Sequence, residues 1–247
     1  MFSSTWNTFL YEPLMNVLAF LISIIPGGDV GIAVIILTLI VKFLIFPLSQ
    51  KAIKSQSEVA LINPEVNKIK ANTKTSKEEQ ARQIFDLYKK HKKNPFSGFF
   101  LILIQIPIIF ALYFVFFDFF KEMKFDTNLL YSFIKNPEYI NTVFLGIIDL
   151  GKKSLFLAVL AGFSQYLQAV YMPQPVSNGN PGSFQESFAK SMQMQMKYFF
   201  PVIMGFFAYQ LSGVIALYFI ISNIFAIGQQ IYFNKHKDLS TLNYKTR

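Results

Sequence analysis

Five long apolar runs constrain this chain more than any other feature of its sequence. A helix rises 1.5 Å per residue, so about 20 apolar residues cross the roughly 30 Å hydrocarbon core of a bilayer. Only 15% of the 247 residues are charged, against about 25% in ordinary soluble domains. The pattern predicts an all-α membrane protein with five transmembrane helices, within Gly31–Ser49, Pro95–Phe117, Leu155–Met172, Tyr198–Leu211 and Gly213–Phe233.

A further apolar stretch, Leu10–Ile25, precedes these runs and admits two interpretations. It could be a sixth span, but Trp6 and Tyr11 suit the headgroup region, where amphipathic aromatic side chains are enriched. We therefore predict an N-terminal interfacial helix, which ends at the turn Pro26–Asp29. Residues 1–29 contain no Lys or Arg, and a signal peptide needs a positive first region, so this segment is expected to belong to the mature protein.

The distribution of Lys and Arg predicts the orientation of the spans. Residues 51–94 hold eleven basic and five acidic side chains, whereas residues 118–153 hold five of each. Because basic residues are enriched in cytoplasmic loops, the spans are expected to run N-out/C-in. The predicted segments are 1–29 (extracytoplasmic, with the interfacial helix), 30–49, 50–94 (cytoplasmic), 95–117, 118–153 (extracytoplasmic), 154–172, 173–195 (cytoplasmic), 196–211, 213–233 and 234–247 (a basic cytoplasmic tail).

The basic segment between the first two spans is expected to form a cytoplasmic helical hairpin. Its first helix would cover residues 50–71, with an interruption at Asn63-Pro64. Its second would begin at Ser76, because Glu79 follows three residues later and completes a capping box. Residues 173–183 are rich in Pro, Gly, Asn and Ser, a composition that predicts a flexible loop.

Lys42 is the most informative single residue, because it lies close to the middle of the first span. A charge near the bilayer centre costs several kcal/mol unless it is hydrated or paired. The five apolar runs contain no Asp or Glu to pair with it, so we predict a hydrated polar pocket inside the helix cluster. The alternative is that Lys42 extends towards the cytoplasmic interface, which its side chain could reach only in part.

Polar side chains in the other spans could line the same pocket. Thr38 lies one turn before Lys42 on the same face of the first span. Taken singly, each of these residues is as readily explained by an interhelical hydrogen bond. Around an unpaired cation, the set predicts a substrate-binding groove formed by Lys42, Thr38, Gln105, Ser164, Gln165, Gln168, Tyr218, Ser222 and Gln229.

Catalytic chemistry finds little support in this sequence. The two histidines, His91 and His236, lie outside the spans, and the chain has no cysteine. There is also no glycine-rich phosphate-binding loop followed by Lys and Ser or Thr. We therefore predict that the protein is not an enzyme and that it uses no metal and no cofactor.

Short motifs in a fixed order resemble the YidC/Oxa1/Alb3 family of membrane protein insertases. They extend over about residues 10–235, and it is their order and spacing, rather than any one of them, that is specific. The matching segments are Pro26–Asp29, Leu37–Leu48 with the family's groove cation at Lys42, Asn94-Pro95, Gly98, Gln105–Ile108, Phe200–Val202, Ser212-Gly213, Leu217-Tyr218, Ser222-Asn223 and Gln229-Gln230.

Three departures from the family pattern stand out. The groove cation is usually Arg, and Lys, unlike Arg, can lose its proton when it is buried. Phe219 stands where many relatives have a second aromatic residue with a hydroxyl group. The chain has neither a large extracytoplasmic domain nor a cysteine for lipidation, so the resemblance is to a minimal bacterial YidC-type protein.

The resemblance implies an insertase and chaperone with a hydrophilic intramembrane groove, open to the cytoplasm and the lipid and closed to the outside. A substrate's polar segment would enter the groove while its apolar helix slides along the third and fifth spans. Implied partners are nascent membrane proteins and the lipid bilayer, with the ribosome and the Sec translocon as further candidates and no DNA. The implied location is the plasma membrane of a bacterium, as a multi-pass integral protein.

Two other classes of function remain open at this point. A polar cavity with one cation could serve a small polytopic transporter or channel for an anionic solute. Inverted repeats often mark transporters, and we find none in this sequence. The third interpretation is a structural membrane partner without a groove. Insertion of acidic-tailed substrates or flux of a solute would separate these classes.

Overall fold

The computed structural model describes residues 4–72, 75–92, 94, 97–172, 191 and 194–244. These residues are mostly helical. π-helical turns at Asn7–Tyr11 and Gln195–Phe199 lead into two of the helices. Short helical turns also lie at Ser4–Trp6 and Pro26–Gly28. The longer helices are α1 (Glu12–Ile24), α2 (Val30–Ala71), α3 (Lys77–Lys90), α4 (Ser97–Glu122), α5 (Leu155–Tyr171), α6 (Phe200–Gln210) and α7 (Gly213–Tyr244).

Three helical segments among the described residues are long and apolar enough to cross a membrane. They are Asn7–Ile24, Val30–Val59 and Gly213–His236, and α5 is a shorter apolar helix of 17 residues. The five-span topology and its orientation stay predictions. So does the interfacial placement of the first segment, because 18 residues at Asn7–Ile24 suit a span as well as an interfacial helix.

The long helix α2 differs from its predicted form. It runs without interruption for 42 residues and contains both Pro47 and Pro64, so the interruption predicted at Asn63-Pro64 is wrong. A proline removes one backbone hydrogen bond and bends a helix, but intact turns on both sides can carry the helix past it. The second hairpin helix begins as predicted, since the Ser76 hydroxyl accepts the Glu79 N–H at 3.2 Å.

Two further segments differ from the prediction. Strands β1 (Val143–Phe144) and β2 (Ile148–Asp149) form an antiparallel hairpin that the all-α assignment lacks. Helix α7 continues to Tyr244, beyond the predicted end of the fifth span at residue 233. The predicted flexible loop at residues 173–183 lies outside the described residues.

Helices α5 and α6 pack closely through two glycines. A Cβ atom on Gly162 would lie 3.0 Å from the Pro201 carbonyl oxygen, and one on Gly205 would lie 3.3 Å from the Ala158 carbonyl oxygen. Small residues at such crossings let helix backbones approach each other in a membrane. Helix α7 packs against α2 and α5, and α2 also contacts α1 and α4, so the helices form one bundle.

The two ends of this bundle differ in character. We call the end that carries residues 123–153 the loop end, and the end where α2 continues beside α3 the hairpin end. Large apolar side chains fill the interior towards the loop end, each with an exposed fraction of 2% or less. They include Leu18, Val30, Val34, Leu37, Leu112, Val115, Phe116, Phe119, Leu150 and Val214.

Buried polar side chains hold the 123–153 loop against the bundle. The Asn16 side chain, 1% exposed, donates to the Leu129 carbonyl at 2.8 Å and accepts the Tyr131 N–H at 2.7 Å. The Asp29 carboxylate caps α2 and accepts the Leu145 N–H at 2.9 Å. These bonds satisfy loop backbone groups that would otherwise be left unpaired under the loop.

We expect Asn16→Leu to destabilise this end of the protein. The change would leave the Leu129 carbonyl and the Tyr131 N–H without their partner, at a cost of about 1–3 kcal/mol for each buried group. Thermal unfolding in detergent should therefore begin at a lower temperature than in the parent protein. Asn136→Leu is the matched control, since Asn136 is exposed in the same loop. Equal unfolding temperatures for the two variants would contradict a stabilising role for the Asn16 hydrogen bonds.

Candidate functional site: a polar cavity inside the bundle

A cavity of about 340 Å³ lies between α2, α4, α5, α6 and α7, in the half of the bundle nearer the hairpin end. We call it the polar cavity. On α2 it is lined by Lys42, Ile45, Ser49 and Ile53, which share one helical face because they are three or four residues apart. Seven of the nine residues predicted for the groove line it: Lys42, Gln105, Gln165, Gln168, Tyr218, Ser222 and Gln229.

A hydrogen-bonded chain crosses the cavity and joins three helices. The Lys42 ammonium donates to the Gln105 amide oxygen at 3.2 Å, and the Gln105 amide nitrogen donates to the Tyr218 hydroxyl at 2.7 Å. The ammonium can only donate, so the amide oxygen must face it and the amide nitrogen must face the phenol. The position of the cation is therefore fixed jointly by α2, α4 and α7.

The described lining of the polar cavity supplies no negative charge to balance Lys42. Among the described residues that line it there is no Asp or Glu, and the hydrogen-bond partner of the ammonium is a neutral amide. A buried cation in this situation is costly unless water or an acidic group reaches it. A volume of about 340 Å³ is enough for on the order of ten waters at about 30 Å³ each. The cavity can therefore hydrate the ammonium or admit an acidic group.

A second set of polar contacts lies on α7 and ties it to α2 and α5. Gln229 donates to the Ser49 hydroxyl at 2.6 Å, and Asn223 donates to the Ser164 hydroxyl at 3.0 Å. Gln229 and Asn223 also line the polar cavity. The wall of the cavity is thus held in place by interhelical hydrogen bonds.

Two of the predicted groove residues do not line the polar cavity. The Thr38 side chain is 1% exposed and donates to the Val34 carbonyl of its own helix at 2.7 Å. Ser164 lies behind the wall, where its hydroxyl accepts from Asn223 and donates to the Ala161 carbonyl at 2.9 Å. Threonine and serine in a helix often bond to a carbonyl one turn earlier, which explains both positions.

The sequence analysis missed Ser49, Asn223 and Gln230 as lining residues. Helical spacing could have identified Ser49, because it lies seven residues after Lys42 on the same face. Asn223 and Gln230 are also seven residues apart on one helical face, and both stand in the family motifs Ser222-Asn223 and Gln229-Gln230, so the sequence held a signal for them.

The fold and the cavity define a class, a helical membrane protein with a polar cavity among its helices. The chain matches the family model described as "60Kd inner membrane protein" over residues 20–240. It therefore belongs to the 60Kd inner membrane protein family, and the predicted family is confirmed.

Named relatives agree with this assignment. "Membrane protein insertase YidC" of Clostridium tetani is 30% identical over 240 residues, which are 96% of this chain and 97% of that protein. The proteins of the same name from Pelobacter propionicus and Geotalea uraniireducens are each 32% identical, over 93% of this chain. The chain spans only 39% and 38% of the lengths of those two relatives.

Proposed function

We propose that this protein inserts other proteins into the lipid bilayer and helps them fold, using the polar cavity as a hydrophilic groove. The observation that carries the proposal is the unbalanced Lys42 ammonium, which lies in a cavity with room for a polar segment. The relatives named as membrane protein insertases support the same function.

The energetic role of the groove follows from the cost of moving polar groups through hydrocarbon. A peptide or hydroxyl group without a hydrogen-bond partner costs roughly 2–7 kcal/mol on transfer from water to an apolar medium. Amides from Gln165, Gln168 and Gln229 and the Ser222 hydroxyl would offer partners to a substrate's polar segment inside the cavity. Lys42 would attract acidic residues in that segment. The substrate's apolar helix would meanwhile contact lipid and the third and fifth spans.

The proposed topology has five spans, with the N-terminus outside and the C-terminus in the cytoplasm. In this arrangement the hairpin end faces the cytoplasm, and the groove is open to the cytoplasm and the lipid and closed to the outside. The basic residues around α3 support this orientation, because positive charge is retained on the cytoplasmic side. The helical hairpin would receive the substrate, and the location is the plasma membrane of a bacterium.

The partners proposed are nascent membrane proteins and lipid, with the ribosome and the Sec translocon as further candidates. The basic tail, with four basic residues and one acidic residue from position 234 onward, supports electrostatic contact with ribosomal RNA. No enzymatic step is part of the mechanism, because lowering a desolvation barrier requires no bond to be made or broken.

The decisive experiment is insertion into liposomes that contain only this purified protein. The substrate is a single-span protein with a short acidic N-terminal tail, and insertion is scored by protection of that tail from external protease. We expect protection well above that of empty liposomes, and a loss of most of it with Lys42→Ala. A folded protein that gives no protection would contradict autonomous insertase activity, and solute flux would then be measured.

A further inference from the structure

A second, apolar groove runs along the outer surface of the bundle between α5 and α6. It encloses about 560 Å³, and nearly all of its lining is carbon. Gly162 and Gly205 form its floor, while Phe163 and Val202 stand at its walls and remain 56% and 72% exposed. We call it the α5–α6 groove. No described residue fills it.

The α5–α6 groove extends over most of the length of α5. On α5 it extends from Leu155 to Tyr166, eleven residues or about 16 Å along the helix axis. A groove of this length, lined almost entirely by carbon, can hold an extended apolar chain.

The end of the groove nearer the hairpin end carries polar groups. The rings of Tyr166 and Tyr198 lie 5.9 Å apart there, and the Lys197 ammonium lies 5.5 Å from the centre of the Tyr198 ring. Gln195 and Ser191 line an adjoining hollow together with Tyr198. An ammonium, an amide and three hydroxyl groups therefore lie around this end of the apolar groove.

We propose that the α5–α6 groove binds one acyl chain of an anionic phospholipid, whose phosphate is held by Lys197 beside Gln195 and Tyr198. The apolar lining suits the chain, and the cation at the groove's end suits the phosphate. One lysine near an anionic lipid surface raises the binding constant about fivefold. The site faces away from the polar cavity, and its occupancy does not depend on insertase activity.

The other end of the groove provides an internal control. Lys153 lies 5.8 Å from the centre of the Tyr209 ring and donates to the Gln210 amide oxygen at 3.0 Å. Removing either lysine changes the net charge equally, so only a specific phosphate site at Lys197 distinguishes the two variants.

The experiment measures fluorescence quenching by lipids with brominated acyl chains. Trp6→Phe removes the single tryptophan, and Phe163→Trp then places a reporter in the groove. Leu160→Trp is the control reporter, since Leu160 lies on the same helix, is 37% exposed and does not line the groove. The purified full chain is reconstituted in mixtures of phosphatidylglycerol and phosphatidylcholine, with one lipid brominated at a time.

We expect quenching of the Phe163→Trp reporter to show about fivefold enrichment of phosphatidylglycerol over phosphatidylcholine in the groove. Quenching of the Leu160→Trp reporter should show no enrichment of either lipid. Lys197→Ala should abolish the selection, whereas Lys153→Ala should preserve it. High salt should weaken it in the protein with both lysines intact, a readout that needs no further variant. Equal quenching at the two reporters would mean ordinary lipid contact only, and it would overturn the proposal, as would selection that survives Lys197→Ala.

Discussion

Lys42→Glu is expected to reduce insertion of a substrate with an acidic tail by at least about tenfold, while a neutral tail is affected far less. Close charge pairs in water-poor sites have coupling energies of about 1.5–7 kcal/mol, and 1.4 kcal/mol already corresponds to a factor of ten. The variant replaces attraction by repulsion at the one cation of the polar cavity's described lining. The measurement is protease protection in liposomes, with the two tails compared in parallel.

Two control variants separate charge from packing at this position. Lys42→Arg keeps the positive charge and should keep the preference for acidic tails. Lys42→Met keeps much of the volume without the charge, so it should bring acidic and neutral tails to similar efficiencies. If Lys42→Glu inserts acidic and neutral tails in the same ratio as the parent protein, attraction of acidic residues is not part of the mechanism.

Gln105→Glu is expected to abolish the preference for acidic tails even though Lys42 is still present. The amide oxygen of Gln105 lies 3.2 Å from the Lys42 ammonium, so a carboxylate of the same shape would form an ion pair with it. An internal carboxylate at that distance competes directly with a substrate carboxylate, and the coupling energies of such pairs predict a loss of about tenfold. The readout is again the ratio of acidic to neutral tail insertion.

The control for this variant is Gln105→Leu, which removes the hydrogen bonds to Lys42 and Tyr218 without adding charge. We expect it to retain a preference for acidic tails, because the ammonium is still without a carboxylate partner. Should Gln105→Glu handle acidic tails as well as Gln105→Leu does, the cation would not be acting through its charge.

The location of the polar cavity could be predicted because one physical constraint dominates there. A lysine in the middle of an apolar run requires polar surroundings wherever it lies, so Lys42 pointed to a cavity before any neighbour was known. Helical spacing could also indicate which residues share its face, but we applied it to Thr38, which does not line the cavity, and not to Ser49, which does. That argument works within one helix, where geometry follows directly from the sequence.

Which groove residues hydrogen-bond to each other across helices could not be predicted in the same way. Gln105 and Tyr218 are 113 residues apart, and no local pattern states which spans become neighbours. Thr38 shows that spacing within one helix is also not sufficient. It lies one turn before Lys42, but its hydroxyl donates to the Val34 carbonyl of its own helix. The continuity of α2 through Pro64 likewise depends on surrounding turns rather than on the proline itself.

The apolar filling at the loop end has a consequence for ion permeability. Along α2, Lys42 lies twelve residues, or about 18 Å, from Val30, and Val34 and Leu37 between them are buried with 1% exposure or less. An ion that enters the polar cavity would have to shed its water to pass this layer, and a dry apolar constriction acts as a closed gate. A membrane that contains many copies of this protein should therefore keep its proton and sodium gradients.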